Sequence, residues 1–344
     1  MKSTKVAFVS SKSRGLSPDL RAVKDYLFEN LESVSFSYFT GNENSKNKYV
    51  KQGVKNANKE FCKNIENAIC IDGSLPAKLV PAAEKGKRIL ISTPYDYQFK
   101  AMNGVLKGEN KKKNTFSNFT NVIVGSPFGR DLFEKCYKIP KGEIIDKVCC
   151  PLAWKLNSEE QQKNMREKFQ NYFPDIEGKK ILSILFTGSL DTEENPFENF
   201  DWKALIKSLG DQWFIFTNNE DFIENAIRLG AKYRKSFGYV NQMLDSRELM
   251  YFSDCIVTNS GMYASYFSSR KKPVYCMKYN DNEFEKYMRN NYSGLFINDL
   301  NGIIDKQIQK ENYSDEHRKF SEYFSYDTSI NPCDTILEIL TAQE

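Results

Sequence analysis

Two short loops in the second half of this 344-residue chain carry residue types that suit an anion. Thr187-Gly188-Ser189 follows the apolar run Lys180–Phe186, and its glycine lets backbone amides come close to a phosphate. Thr258-Asn259-Ser260-Gly261 follows Cys255–Val257 and opens a helical stretch at Met262. Hydroxyls, peptide nitrogens expected to be exposed, and a helix dipole converge at that turn and favour a diphosphate. Each loop alone reads equally well as an ordinary cap or turn. Both in one half of the chain point to a nucleotide-diphosphate site. The first half offers Ser11 and Arg14 after its first strand, then Asp72-Gly73-Ser74, Thr93-Pro94-Tyr95-Asp96 and Gly125-Ser126. A carboxylate at a strand end, Asp72 or Asp96, can serve as general base for an acceptor hydroxyl, or it can cap a helix. Arg14 can bind an acceptor phosphate or simply face water.

Other chemistries lack their residues. The single histidine, His317, lies in the charged stretch Glu311–Lys319 and reads as an exposed helical residue. With no HExxH and no neighbouring cysteine, a zinc site is not expected, and no GxSxG elbow supports a serine triad. The absence of GxxxxGK[ST] argues against a P-loop nucleotidase. The absence of GxGxxG after the first strand argues against a nicotinamide or flavin cofactor. No DxD pair occurs, which favours a metal-independent reaction, and no cofactor is expected. A net charge of +4, from 49 basic and 45 acidic residues, does not suggest nucleic acid. No apolar window reaches the length of a membrane span, and the start has too short an apolar run for a signal peptide. Eight cysteines without a CxxC pair, several of them inside apolar runs, read as reduced thiols of a cytoplasmic protein. Lys111-Lys112-Lys113 reads as a solvated loop or as a contact with anionic lipid at the inner face of the cell membrane.

Short apolar runs alternating with amphipathic stretches give the βαβα pattern of parallel sheets covered by helices, so the fold class is α/β. In the first half, strands are expected at Lys5–Ser10, Ala68–Ile71, Arg88–Ser92, Asn121–Gly125 and Val148–Cys150. Helices are expected at Pro18–Leu31, Leu75–Lys85 and Phe128–Cys136. Pro174 and Gly178 break a helical stretch over Ser158–Tyr172, and a second series begins there. Its strands are Lys180–Phe186, Trp213–Thr217, Cys255–Thr258 and Pro273–Met277, with helices at Trp202–Leu209, Phe222–Leu229, Asp245–Phe252 and Met262–Ser269. The expectation is two doubly wound, Rossmann-like domains, 1–155 and 156–325, facing a cleft.

The order of motifs resembles the CDP-glycerol glycerophosphotransferase family, the teichoic-acid polymerases and primases of GT-B fold. DGSLPAKL (Asp72–Leu79) and GKRILISTPYDYQFK (Gly86–Lys100) resemble the segment leading into that family's TWHGTPLK motif. NVIVGSPFGRDLFEKCYKIP (Asn121–Pro140), KKILSILFTGSLD (Lys179–Asp191), the stretch Gly238–Ser265 and KKPVYCMKYND (Lys271–Asp281) are similar to later family segments in the same order. FSYDTSINPCDTILEIL (Phe324–Leu340) resembles the closing helix, which implies a third element, 326–344, packing back towards the first domain. The resemblance implies a transferase that moves a glycerol-phosphate-like or sugar group from a nucleotide-activated donor, CDP-glycerol above others. The acceptor would be a cell-wall or capsular polymer, or its lipid-linked precursor. It places Thr187, Gly188, Thr258, Asn259, Ser260 and Gly261 near the donor phosphates, with Ser189 in the same loop. Arg14, Ser11 and Thr93 fall on the acceptor side. Two family histidines are replaced, one by Tyr95 and one near Thr217-Asn218-Asn219. A phenol with a pKa of about 10 is a poor base at pH 7, so Asp96, with Tyr95 and Asp72, is the candidate catalytic group. The other readings are a nucleotide-sugar glycosyltransferase, a sialyl- or pyruvyl-transferase, or a non-catalytic partner in such a complex.

Overall fold

The computed structural model describes residues 4–10, 16–40, 66–71, 86–94, 96–107, 116, 118–187, 200–218, 233, 235–239, 246–279, 281–306 and 313–342. The chain falls into two compact units. The first comprises Met1–Thr93, Gly104–Lys155 and Phe324–Glu344, and the second Pro94–Asn103 and Leu156–Tyr323. Thus Pro94–Asn103, placed by sequence order in the first domain, counts with the second unit. The stretches Leu75–Lys85, Phe222–Leu229 and Lys111–Lys113 lie outside the described residues.

In the first unit six strands run parallel: β1 (Thr4–Ser10), β2 (Val34–Thr40), β3 (Asn67–Ile71), β4 (Arg88–Ile91), β5 (Asn121–Gly125) and β6 (Ile144–Cys149). Their order is β2-β1-β3-β4-β5-β6. Central strands buried on both faces need unbroken apolar runs, and Val6–Val9, Ala68–Ile71 and Ile89–Ile91 supply them. The helix Pro18–Asn30 starts where the Ser17 hydroxyl accepts the Leu20 N–H at 3.2 Å, with proline at its first position. Leu20, Val23 and Leu27 on one face of it join Val6, Phe8 and Ile69 in the core. The helix Pro332–Thr341, capped by Asn331, adds Cys333 and Ile336 to the same cluster. The Tyr26 hydroxyl bonds to Asp334 on that helix.

The second unit repeats the plan with β7 (Lys180–Leu185), β8 (Trp213–Thr217), β9 (Phe237–Tyr239), β10 (Cys255–Thr258), β11 (Val274–Met277) and β12 (Phe296–Ile297). These are also parallel, in the order β12-β11-β10-β7-β8-β9. The chain enters at the centre, builds outwards through β8 and β9, then returns to build β10 to β12 on the other side. The winding therefore reverses between β7 and β10, as it does between β1 and β3 in the first sheet. Such reversal points, at the carboxyl ends of the strands, are where open α/β sheets bind ligands. One face of this sheet carries Leu205, Leu209 and Trp202 from the helix Trp202–Leu209. Aromatic packing around Phe169 stacks its ring on Phe252 at 5.2 Å and meets Phe216 edge-on at 5.7 Å.

Strands β2, β9 and β12 were not anticipated. The first follows a helix after only three residues, and the others have only three and two residues.

Candidate donor site

The first residues past β7 lie at the reversal point of the second sheet. Main-chain pairing stops there, with Thr217 opposite Ile184 on one flank and Thr258 opposite Leu185 on the other. Side-chain amides continue it. The Thr187 N–H donates to Asn259 Oδ1 at 2.8 Å, and Asn259 Nδ2 donates back to the Thr187 carbonyl at 2.9 Å. On the opposite flank the Phe186 N–H donates to Asn218 Oδ1 and Asn218 Nδ2 donates to the Phe186 carbonyl, both at 2.9 Å.

Further bonds tie this end of the sheet to the helix Glu283–Asn291. Asn282 Nδ2 donates to the Asn259 carbonyl at 2.8 Å, while Asn282 Oδ1 accepts the Glu285 N–H at 2.8 Å as a helix cap. The fully buried Glu285 accepts the Tyr279 N–H through Oε1 at 3.1 Å. Tyr279 in turn stacks on Phe186, with ring centroids 4.9 Å apart. A circuit of short contacts thus fixes where the loops after β7 and β10 leave the sheet.

The helix Gly261–Ser268 begins directly after Asn259-Ser260. Thr258 Oγ1 accepts the Ser260 N–H at 3.0 Å, and the Ser260 hydroxyl makes no cap bond. First-turn amides of an α-helix have no acceptor within the helix and carry its positive end. One expectation is corrected here. Asn259 is fully buried and Ser260 is 7% exposed, so the turn is not an open one. The Asn259 amide is committed to Thr187, and its part is to hold the two loops together rather than to offer a free donor.

The covering group is Phe99. A Cβ on Gly261 would lie 2.1 Å from the Phe99 ring, so the close approach requires glycine. Phe99 is fully buried and meets Phe284 and Tyr287 edge-on at 5.0 and 5.5 Å. Asn103 Nδ2, from the same helix Asp96–Leu106, donates to the Glu283 carbonyl and carboxylate, both at 3.1 Å. Asp96 is the first residue of that helix, one turn before Phe99, and belongs with the second unit. Thr93 is buried at 1% exposure in the stretch after β4. Tyr95, Asp72, Ser11, Arg14, Gly188 and Ser189 lie outside the described residues. In sequence, Ser11 and Arg14 follow β1 and Asp72 follows β3, the two strands flanking the reversal point of the first sheet.

His317 is not the exposed residue its charged surroundings suggest. The helix Asp315–Phe324 buries His317, Phe320, Ser321 and Phe324 along one side. The imidazole stands edge-on to Tyr275 at 5.0 Å, and its Nδ1 accepts the Ser314 N–H at 3.1 Å. Burial lowers its pKa from 6.5 to about 4, so it is neutral at physiological pH. Among the described residues no three His, Cys, Asp or Glu side chains gather as metal ligands would. None of the described helices is long and apolar enough to cross a membrane.

Sequence reasoning missed Asn218, Asn282, Glu285 and Phe99. The Asn282-x-x-Glu285 spacing is a capping signature that marks the start of the helix at Glu283. Asn218 falls in the stretch where the resemblance lacks its second histidine, which marks the place without revealing the contact, and nothing local to Phe99 signals a role.

A family model described as CDP-Glycerol:Poly(glycerophosphate) glycerophosphotransferase matches residues 1–310. A teichoic acid poly(ribitol-phosphate) polymerase of Bacillus spizizenii is 19% identical over 184 residues, covering 53% of this chain and only 30% of that polymerase. The wall teichoic acid polymerase TagF superposes over 98% of this chain and 89% of its own, with a TM-score of 0.72 at 17% identity. The UDP-GlcNAc 2-epimerase of Neisseria meningitidis, bound to UDP-GlcNAc, covers 98% of this chain and 99% of its own, with a TM-score of 0.63 at 14% identity. The fold is therefore the two-domain α/β fold of GT-B type.

Proposed function

The chain belongs to the CDP-glycerol:poly(glycerophosphate) glycerophosphotransferase family, and from that premise we propose that its second unit binds a CDP-glycerol-type donor at the reversal point between β7 and β10. The observation that supports the reading is the joining of Thr187, the first residue of one candidate loop, to Asn259 of the other by paired hydrogen bonds. Thr187, followed in sequence by Gly188 and Ser189, takes one side of the diphosphate, while Thr258, Asn259, Ser260 and Gly261 form the buried turn that holds the start of the next helix against it. First-turn amides of the helix Gly261–Ser268 meet its charge.

The reaction is a phosphoryl transfer. An acceptor hydroxyl oxygen forms a bond to the phosphorus that carries glycerol, the bond from that phosphorus to the bridging oxygen breaks, and CMP leaves with the electron pair. The hydroxyl proton passes to a carboxylate. Asp96 is the candidate, because its helix seats Phe99 on the start of the donor helix. Tyr95 and Asp72, with Arg14, Ser11 and Thr93, serve the acceptor, a polymer chain or its lipid-linked precursor at the inner face of the membrane. The sequence has no DxD pair, which supports charge compensation by amides rather than by a metal.

Calorimetry with CDP-glycerol, CMP, UDP-sugars and phosphoenolpyruvate tests the donor, and transfer of labelled glycerol phosphate to a synthetic lipid-linked acceptor tests the reaction. We expect CDP-glycerol to bind and UDP-sugars not to. D96N is expected to lower kcat by about 10²–10⁴-fold, the usual worth of a general base. Preference for a UDP-sugar makes the protein a glycosyltransferase, and binding of no ligand removes the donor site.

A further inference from the structure

We infer that Asn218 is a positioning residue for the donor, the counterpart on the β8 side of Asn259 on the β10 side. The inference rests on the donor reading above and adds a residue that the reading does not contain.

Successive residues of a strand turn their N–H and C=O groups alternately to the two neighbours. β7 is central, with β8 on one flank and β10 on the other. Both neighbours stop pairing by main chain before Phe186, yet Phe186 and Thr187 stay pinned on alternate sides. A primary amide carries an acceptor and donors in one plane, as a peptide does, so each asparagine imitates one more residue of a neighbouring strand. Asn218 satisfies both main-chain groups of Phe186, which is 7% exposed.

One clamp alone would leave the strand end free to swing about the other. Two clamps on consecutive residues, from opposite flanks, fix Phe186 and Thr187 at the end of the strand. Preorganisation of this kind sets how well a loop grips its ligand. Asn218 does so through its two bonds to Phe186.

The test uses the whole chain with CDP-glycerol as the calorimetric probe, and N218A and N218D as variants. Alanine removes both bonds to buried main-chain groups. It is expected to weaken CDP-glycerol binding about tenfold in protein shown by circular dichroism to be folded. An ionised aspartate accepts the Phe186 N–H but opposes its carbonyl, whereas a protonated one restores both bonds. Because the ionised form opposes that carbonyl in a part-buried place, the new carboxyl should titrate about a unit or more above its free value of about 3.9. The N218D deficit relative to the unaltered protein should therefore be about tenfold at pH 8 and shrink to about threefold or less at pH 5.5. If N218A fails to fold, the N218D ratio decides the matter. A lowered melting temperature with unchanged affinity in N218A, or an N218D deficit that does not vary with pH, overturns the inference and makes Asn218 merely structural. Failure of the unaltered protein to bind CDP-glycerol overturns the donor reading itself, and the inference with it.

Discussion

Replacing Gly261 with alanine probes the seat of Phe99 on the start of the helix Gly261–Ser268. The new methyl carbon would stand 2.1 Å from Phe99 Cε2 and 2.7 Å from its Cζ. Ordinary carbon contacts are about 3.5–4.0 Å, so the ring must retreat by roughly 1.5 Å. It has little room, being fully buried and braced edge-on by Phe284 and Tyr287. Overpacking of this kind costs about 1–3 kcal/mol. F99A alone opens a cavity in the same place and costs about 3–5 kcal/mol. In the double variant the alanine methyl enters space the ring has vacated. Its cost should then fall short of the sum by about 1 kcal/mol or more. Unfolding of a chain with two units is not one transition, so the probe must report the second unit alone. Of the three tryptophans, Trp202 and Trp213 belong to that unit and Trp154 to the first. Urea titration followed by fluorescence in a W154F background isolates it. Additive costs within about 0.5 kcal/mol would mean that Phe99 and Gly261 do not share the contact, and the seat of the Asp96 helix would need another explanation.

Two further outcomes follow from buried titratable groups. His317 has a folded pKa of about 4, below its unfolded 6.5, so its stabilising effect is complete above pH 6.5 and is lost as pH falls towards 4. That loss amounts to roughly 3 kcal/mol, and the urea midpoint of H317Q should vary less between pH 7 and 4 than that of the unaltered chain; equal slopes refute it. Burial also pushes the thiols of Cys149 and Cys333 up to about 12, and those of Cys70, Cys255 and Cys276 upwards. Mass spectrometry after iodoacetamide at pH 8 should find these five unmodified in the folded protein and all modified in denaturant, and modification of folded Cys149 or Cys333 refutes their burial.

The parts of the fold legible in the sequence are those whose physics is local. Ile181–Leu185 and Cys255–Thr258 read as strands because central positions, covered on both faces, need nearly continuous apolar runs, here interrupted only by the buried hydroxyls of Ser183 and Thr258. Ser17 and Ser158 announce helices because their hydroxyls meet first-turn amides. Strand β2 escaped because Val34–Thr40 follows the helix Pro18–Asn30 after only Leu31-Glu32-Ser33, with no glycine or proline between them to mark a turn. His317 was misread because the charges flanking it are real, and only the helical spacing to Phe320 and Phe324 turns it inwards. The Thr258–Gly261 loop was legible as the start of a helix after a strand. Its partners were not. Asn218 acts on Phe186 only because β8 lies beside β7, and Asn282 acts on Asn259 only because β11 lies beside β10. Strand order is a property of the whole sheet, so an asparagine past a strand end does not reveal which main chain it will clamp.

That division bears on how the chemistry can work. The family resemblance carries a histidine where this chain has Tyr95, and the one imidazole available, His317, is fixed between Ser314 and Tyr275 in a core. General base catalysis supplies about 10²–10⁴-fold, whereas orientation of the reacting groups and stabilisation of developing charge can supply more. Phosphoryl transfer depends mainly on the latter two, since the protein need form no covalent bond. Asn218, Asn259, Asn282 and Glu285 are each bonded to main chain at this end of the sheet, and in the reaction proposed above they orient it rather than carry a proton. A change of base from imidazole to carboxylate is therefore compatible with retained transfer, provided this framework still aims the amides at the diphosphate.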